Sequence, residues 1–285
     1  MIKLKVIKGG MFSTIQDGGR SGLAFYGIPG SGFMDRSSAQ MANLLVGNKK
    51  NSSLIEMTSI GGKFQCAEQA IIAITGANMS PKINGQEVKM NKTILLKKDT
   101  VLEFKFAKTG LRTYLAIQGK WLIPKTHGST STYTYARIGG LNGLPLKEGD
   151  EISISNKQIN QNFIKWPIEN NFDTIQKIDL QKGPEFSALK DITPLNASFS
   201  ISPQSDRMGA ILNGPELNIK VAKSFSSQAL FPGVIQCTPA GKLIVVLQDG
   251  QTTGGYPRVF MIPNKQLNLF NQLRIDKAFG FSLLG

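Results

Sequence analysis

The segment DGQTTGGYP, Asp249 to Pro257, is the densest cluster of polar residues and glycines in the sequence, and it follows the apolar run LIVVL. Paired glycines let backbone N–H groups converge on an anion, and threonine hydroxyls add further donors. It is not a Walker phosphate loop, because no Gly-Lys-Ser/Thr follows. The segment predicts either a hairpin turn or a loop that binds a phosphate or carboxylate. Its candidate contacts are Gln251, Thr252, Thr253, Gly254, Gly255 and Tyr256.

A second candidate is SDRMG, in which Asp206 stands beside Arg207 after a predicted strand. An arginine can bind a carboxylate or phosphate through two parallel hydrogen bonds. It can equally pair with a nearby acid and hold its loop, and the residue types leave both roles open. Arg20 with Asp17 poses the same choice in the first half of the chain.

A run of hydroxyl side chains, HGSTST, begins at the single histidine, His127, and contains Ser129. A nucleophilic serine needs a base in contact with it, and adjacency in sequence does not establish one. One histidine excludes multi-histidine metal sites, and any Ser-His-Asp triad would have to include it. Two cysteines, Cys66 and Cys237, are too few for a disulfide scaffold or a four-thiolate metal site. We expect both to be small buried side chains, and no metal site is predicted.

The composition is that of a globular protein with a basic surface. The 285 residues, 41% of them hydrophobic, suffice for one large β-domain or two small ones. The net charge is +14 with scattered lysines, which predicts a solvated surface or an acidic partner or substrate rather than nucleic acid. Apolar runs such as AIIAI are too short to span a bilayer. A signal peptide needs an uninterrupted apolar stretch, whereas the N-terminal run MIKLKVIK alternates apolar and charged residues like a strand. We therefore expect a cytoplasmic protein without a membrane partner.

These candidate residues must be positioned mainly by β-strands. Short apolar runs separated by turn residues at close intervals are typical of barrels or sandwiches. One segment, MDRSSAQMANLLVGN, predicts a helix with a capping box formed by Ser37 and Gln40 and an end at Gly47 and Asn48. A second short helix is predicted after Asn264.

The sequence also repeats itself. The spacing R-x-G-x4-G occurs twice, and GKFQC is echoed by GVIQC in the same order, which indicates an internal duplication. We expect two related β-barrels, the first with the helical insertion, and we expect the repeated glycines to serve turns in both copies. The matched positions are Arg20, Gly22 and Gly27 in the first copy and Arg207, Gly209 and Gly214 in the second.

The segment NKQINQNFIKWPIENN predicts a linker between the halves. We place the first barrel at 1–158, the linker at 159–172 and the second barrel at 173–285. Ligand contacts are expected mainly in the second half, because only that half carries DGQTTGGYP.

Seven separated motifs occur in the order TIQDGGRSG, GIPGSGFMDRSSAQMANLLVGN, LIEMT, TGA, SDRMG, GVIQC and DGQTTGGYP. Together they resemble the allophanate hydrolase subunit 2 family, also called the biotin-dependent carboxyltransferase-like family. That family includes the C subunit of bacterial 5-oxoprolinase, an antagonist of a sporulation-kinase inhibitor, and half of the carboxyltransferase module of urea carboxylase. The resemblance runs from Val6 to about Phe281 and implies two cyclophilin-like β-barrels.

The resemblance implies the C subunit of an ATP-dependent 5-oxoprolinase complex, which hydrolyses 5-oxo-L-proline to L-glutamate. The implied partner is a homologue of the B subunit, which is similar to allophanate hydrolase subunit 1. In the 5-oxoprolinase version of the family a third subunit, A, joins the complex. ATP, with Mg²⁺, would act at the level of the complex. No biotin is expected on this chain, because it lacks an attachment tetrapeptide around Met-Lys-Met. Alternatives are half of a urea or allophanate carboxyltransferase module and a non-catalytic regulatory subunit.

The resemblance also assigns candidate roles. Asp206 and Arg207 are expected to be catalytic, and residues 251–256 are expected to bind substrate or phosphate, with Arg20, Asp17 and Ser129 in support. The sequence departs from the family where Arg is common, since three other residues stand there: Thr130, Leu144 and Gly250. Losing guanidinium groups removes bidentate anion contacts, so these departures bear on substrate choice.

Overall fold

The computed structural model describes residues 1–155, 172–220, 226–275 and 277–284. The chain forms two compact units, one comprising Met1–Arg20 and Ser31–Phe172 and the other comprising Ser21–Gly30 and Asp173–Gly285. The predicted linker lies outside the described residues except for Phe172. The proposed domain boundaries therefore stay a prediction.

The first unit consists mainly of two sheets. One has the strand order β11-β12-β1-β4-β9-β6-β7 and the other β2-β3-β10-β5-β8. The strands are β1 (Ile2–Lys8), β2 (Phe12–Gln16), β3 (Leu54–Thr58), β4 (Lys63–Cys66), β5 (Ala70–Asn78), β6 (Lys82–Ile83), β7 (Gln86–Glu87), β8 (Thr93–Leu96), β9 (Thr100–Glu103), β10 (Thr109–Ile117), β11 (Lys120–Trp121) and β12 (Glu151–Ser155). In β1 apolar side chains alternate with exposed lysines, so one face of the strand enters the core.

The helix of the first unit, α1 (Arg36–Leu45), packs Ala39, Ala42 and Leu45 against β5 and β10. Its N-cap is Asp35, whose Oδ1 accepts from the Ser38 backbone N at 3.1 Å and whose Oδ2 accepts from Ser38 Oγ at 2.6 Å.

The predicted capping box of Ser37 and Gln40 is therefore wrong, and Gln40 Nε2 donates to Asn51 Oδ1 at 3.1 Å instead. A carboxylate at the N-cap is favoured because it accepts more strongly than a hydroxyl and complements the helix dipole. The predicted end is confirmed: Gly47 has φ +73°, and the Asn48 backbone N donates to the Asn43 carbonyl at 2.9 Å.

The second unit contains a seven-stranded sheet in the order β14-β15-β18-β17-β20-β13-β21 and a separate pair, β16 with β19. Its strands are β13 (Lys177–Lys182), β14 (Ser200–Ile201), β15 (Gly209–Asn213), β16 (Gln228–Ala229), β17 (Val234–Cys237), β18 (Leu243–Val246), β19 (Thr253–Gly254), β20 (Arg258–Met261) and β21 (Gly280–Leu283). The predicted second helix is confirmed as α2 (Asn264–Phe270).

Phe199 and Phe279 close the sheet of the second unit. They lie just before the two edge strands, β14 and β21, and each backbone N donates to the other residue's carbonyl, at 2.8 and 2.9 Å. The sheet thus curls into a barrel without free edges at this point. The mainly β class predicted from the sequence is confirmed in both units. Within the described ranges, no helix combines the length and apolarity needed to cross a bilayer.

The repeated glycines do not share one role. Gly22 and Gly27 have φ +76° and +73° and flank a 3-10 turn, as expected of turn glycines. Gly209 instead begins β15 with an ordinary φ, and a Cβ on Gly214 would lie 2.3 Å from the Phe199 ring. The expectation of a turn glycine is wrong for Gly209, which pairs within a strand, whereas Gly214 lies at a bend directly after β15.

Candidate functional site

Arg207 forms a buried ion pair with Asp249. Its Nε donates to Asp249 Oδ2 at 2.8 Å and its Nη2 donates to Oδ1 at 3.2 Å. The backbone N of Asp249 also donates to the Arg207 carbonyl at 2.9 Å. Of the two roles that the sequence left open for Arg207, the structure thus shows the one that fixes a loop. Contact of Arg207 with a substrate stays a prediction.

Asp206 is exposed and holds the turn that leads into β15. Its Oδ1 accepts hydrogen bonds from the backbone N of Met208 at 2.7 Å and of Gly209 at 3.1 Å. This geometry aligns Arg207 at the start of the strand. A catalytic role for Asp206 stays a prediction.

The polar loop 251–256 belongs to a small hairpin. In it, β19 pairs with β16, so that Thr253 lies opposite Ala229. The backbone N of Leu230 donates to the Thr252 carbonyl at 2.8 Å, and Gln236 Nε2 donates to the Tyr256 carbonyl at 3.1 Å. The backbone is therefore held on both sides of β19. The side chains of Gln251, Thr253 and Tyr256, and Gly255, face solvent.

Gly254 is the tightest point of this loop. A Cβ at that position would lie 2.7 Å from Leu230 Cδ1, 2.9 Å from Gln236 Nε2 and 3.0 Å from Gln251 Nε2. Two side-chain amides thus close over the glycine. A larger residue would displace the end of one of these flexible side chains, and the φ of Gly254 is not left-handed.

An ion pair between Arg258 and Glu185 supports the hairpin, and the sequence analysis did not predict it. Arg258 Nε and Nη2 donate to Glu185 Oε2 and Oε1 at 2.8 and 2.7 Å, and its Nη1 donates to the Ala229 carbonyl at 3.1 Å. These hydrogen bonds lower the pKa of the Glu185 carboxyl below its ordinary value. A lone arginine directly after TTGGYP was the available signal for Arg258, and the motif GVIQC contains Gln236, whereas nothing in sequence marked Glu185.

The polar cluster of the first unit centres on Asp17. Asp17 Oδ1 accepts from Ser129 Oγ at 2.5 Å, from Ser131 Oγ at 2.7 Å and from the Gly19 backbone N at 2.9 Å. Its Oδ2 accepts from the Thr130 backbone N at 2.8 Å. The carboxylate thus ties the end of β2 to the hydroxyl-rich run.

Arg20 joins the same network, because its Nη2 donates to the Ser131 carbonyl at 2.5 Å. The structure therefore brings together three predicted site residues: Asp17, Arg20 and Ser129. All three are buried, and the Ser129 hydroxyl proton is already donated to Asp17. This arrangement is suited to holding the chain in place, and substrate contact by these residues stays a prediction.

Two of the positions that lack the family's arginine are tightly packed. Thr130 is buried, with its hydroxyl 2.7 Å from Ser53 Oγ. A Cβ on Gly250 would lie 2.6 Å from Val246 Cγ1 and 2.7 Å from the Met208 carbonyl oxygen. Leu144, the third position, is exposed. An arginine at 130 or 250 would thus require the surrounding chain to shift.

Neither cysteine is poised for chemistry. Burial raises the pKa of both thiols, Cys66 and Cys237, to about 11. A protonated thiol is a poor nucleophile and metal ligand, so the prediction of buried packing residues is confirmed. In the part of the chain that the structure describes, no group of three His, Cys, Asp or Glu side chains could hold a metal ion.

The chemistry available at the loop is hydrogen bonding by neutral groups. Its exposed donors are hydroxyls, a side-chain amide and backbone N–H groups, while the adjacent guanidinium groups of Arg207 and Arg258 are each paired with a carboxylate. Such a surface suits an amide or a single carboxylate.

The sequence profile of the family described as "Carboxyltransferase domain, subdomain A and B" matches residues 26–283. The chain belongs to this carboxyltransferase-domain family. Within it, the chain is 32% identical to the C subunit of 5-oxoprolinase from Escherichia coli over 284 residues, which are 98% of this chain and 90% of that protein. The resemblance drawn from the seven motifs is thereby confirmed.

Solved structures agree with the carboxyltransferase-domain assignment. The crystal structure of TTHA0988 matches 99% of this chain with a TM-score of 0.90 at 26% identity, and that of Kluyveromyces lactis urea carboxylase matches 99% with a TM-score of 0.90 at 25% identity. The chain spans only 56% of TTHA0988 and 27% of the urea carboxylase. The predicted fold class, two duplicated cyclophilin-like β-barrel domains with one inserted helix, is that of this family and is confirmed.

Proposed function

We propose that this chain is the C subunit of an ATP-dependent 5-oxoprolinase complex, which hydrolyses 5-oxo-L-proline to L-glutamate. The observation that carries the proposal is the likeness to the E. coli protein, which extends over 98% of this chain and 90% of that protein. A likeness of nearly equal lengths supports equivalent subunits. The urea carboxylase, by contrast, is matched over only 27% of its chain.

In this proposal the loop 251–256 binds the lactam or its carboxylate. The exposed Thr253 and Tyr256 hydroxyls would donate to the substrate oxygens, and the buried pair Arg207 and Asp249 would hold the loop in place. ATP, with Mg²⁺, would act at the level of the complex. The partners are a B subunit homologue and, in the complete complex, an A subunit homologue, in the cytoplasm.

The test is reconstitution of the complex. The chain is mixed with its A and B subunit homologues, and ATP turnover and glutamate release from 5-oxoproline are measured with each component omitted in turn. We expect both activities to need this chain. A complete mixture that turns over no ATP contradicts the proposal.

A matched pair of variants tests the loop within that complex. Thr253→Val removes an exposed hydroxyl at constant shape, and we expect kcat/KM to fall about tenfold, the usual effect of one lost hydrogen bond to substrate. Thr134→Val, in the first unit, is the control. Equal rates for both variants would remove Thr253 from the site.

A second candidate is carboxyl transfer, which the family description and the urea carboxylase structure favour. It requires carboxybiotin from another chain, so transfer of a carboxyl group from biotin to urea in the presence of a biotin carboxylase would decide for it. A third outcome, tight binding of the B subunit homologue without any turnover, would indicate a regulatory role.

A further inference from the structure

Two adjacent aromatic rings project from the second unit into solvent. Phe25 is 94% exposed and Tyr26 is 73% exposed, and their rings meet edge to face with centroids 5.6 Å apart. Exposed rings of this size are costly in water, and contiguous ones mark interaction sites. Neither residue belongs to the proposed substrate loop.

The backbone that carries these rings is held in a hydrogen-bonded turn. The Tyr26 backbone N donates to the Leu23 carbonyl at 2.9 Å, and the Gly27 N donates to the Ala24 carbonyl at 3.0 Å, which forms a 3-10 turn. A prearranged aromatic pair loses little entropy when it binds, and preorganised aromatic anchors dominate protein interfaces.

We propose that Phe25 and Tyr26 are the anchor by which this chain docks onto the B subunit homologue, in an apolar pocket of that partner. The partner's identity rests on the proposed function. The docking surface consists of the exposed part of Ser21–Gly30.

The chemistry of the loop favours a protein partner. Ser21–Gly30 contains no Asp, Glu, Lys or Arg, and depletion of charge is typical of the centre of a protein interface. An anionic membrane would be attracted by lysines flanking the rings, and this stretch has none.

The charge of the whole chain argues against a second copy as the occupant. Each copy carries a net charge of +14, so two copies repel each other, whereas a less basic partner is repelled less and an acidic one is attracted. TTHA0988 also carries this module within a chain of which the module is only 56%. The rest of the TTHA0988 chain is additional protein covalently linked to this module. We expect a separate partner to take that place here.

The test measures binding of the purified B subunit homologue by calorimetry, without ATP or 5-oxoproline. We expect Phe25→Ala and Tyr26→Ala each to weaken binding about 30-fold, as anchor residues do. Two other exposed aromatic residues serve as controls, because Tyr135→Ala removes a ring that is 79% exposed and Phe106→Ala one that is 68% exposed. We expect both controls to bind like the wild type.

Thermal unfolding of Phe25→Ala and Tyr26→Ala should match the wild type, because the removed atoms lie in solvent. Unchanged affinity in both variants overturns the proposal, as does failure of the wild-type chain to bind the homologue. Two further results would also overturn it. One is a concentration-dependent dimer that the substitutions abolish, and the other is flotation with phosphatidylserine vesicles that they abolish.

This test separates the docking surface from the proposed function. If the wild type binds the homologue but the complete mixture is inactive, the function fails and the anchor stands. If the mixture is active and the variants bind normally, only the anchor fails.

Discussion

At the scale of single residues, the buried pair Arg207 and Asp249 is the feature on which the candidate loop depends most. Both side chains are almost fully enclosed, and each satisfies the other's charge through two hydrogen bonds. Truncating one member of such a pair leaves an uncompensated charge in the protein interior. The pair therefore stabilises the loop conformation without a bound substrate.

Asp249→Asn tests this pair. We expect the free energy of unfolding to fall by about 3–5 kcal/mol, because the buried Arg207 guanidinium loses the negative charge of Asp249 opposite it. Urea denaturation measures the change, and Glu216→Gln, which alters an exposed acid of the same unit, is the control. If the free energy of unfolding falls no further than in Glu216→Gln, the negative charge of Asp249 is not needed for stability.

Gly250 gives a second prediction at this scale. Gly250→Ala places a Cβ 2.7 Å from the Met208 carbonyl oxygen and 2.9 Å from the Leu247 carbonyl oxygen, and we expect it to cost about 1–3 kcal/mol as overpacking does, because backbone atoms cannot move aside alone. Gly209→Ala is the matched control, because the nearest atoms to a Cβ there are at 3.5 Å. Equal thermal stability of the two variants would contradict the crowding inferred at Gly250.

At the scale of elements, the hairpin of β16 and β19 is braced through Arg258. The guanidinium group joins Glu185 to the Ala229 carbonyl, and Ala229 lies opposite Thr253. Movement of Arg258 would thus shift the exposed hydroxyls of the loop. A brace of this kind positions the site without touching a substrate.

The brace is sensitive to acid. Hydrogen bonds from Arg258 lower the pKa of Glu185 below its ordinary value of 4.5, so the carboxylate stabilises the folded state above that pH. The contribution is lost as the pH falls through the lowered pKa of the folded protein. We expect the difference in urea midpoint between the wild type and Glu185→Gln to be constant from pH 7 to about pH 5 and to shrink below it.

Hydrogen exchange locates the effect of Glu185→Gln. At pH 7 we expect faster exchange of the amides in β16 and β19 than in the wild type, and unchanged exchange in β18. Two results would be inconsistent with a local brace. One is a stability difference that grows on acidification, and the other is amide exchange that becomes equally faster in β18 and in β16 and β19.

At the scale of the whole molecule, the charge is the dominant property. There are 33 basic and 19 acidic residues, and the lysines are distributed along the chain rather than concentrated in one basic element. Scattered positive charge attracts polyanions weakly and without preference for sequence. Salt screens such attraction, since the Debye length is about 8 Å at 0.15 M.

Binding to duplex DNA follows from this charge. We expect weak binding at about 20 mM salt, equal for unrelated sequences, and its loss at about 0.15 M as counter-ions compete. Fluorescence anisotropy with two labelled duplexes measures it. Sequence-selective binding that survives physiological salt would make nucleic acid a specific partner.

The sequence by itself determined the kind of protein and the outline of its elements. Alternating and apolar runs predicted strands, Asn264 marked the second helix, and Gly47 marked the end of the first, because these signals act between residues close in sequence. Seven ordered motifs indicated the family. Even the N-cap was missed by only two residues, at Asp35 rather than Ser37.

Only the tertiary structure decided which side chains meet. Arg207 pairs with a residue 42 positions away, Arg258 with one 73 positions away, and Asp17 with hydroxyls 112 or more positions away. Strand pairing and barrel closure bring these groups together, and no local pattern records such contacts. For the same reason the repeated spacing of Arg20 and Arg207 did not imply one structure, because each copy is shaped by different neighbours across the sheet.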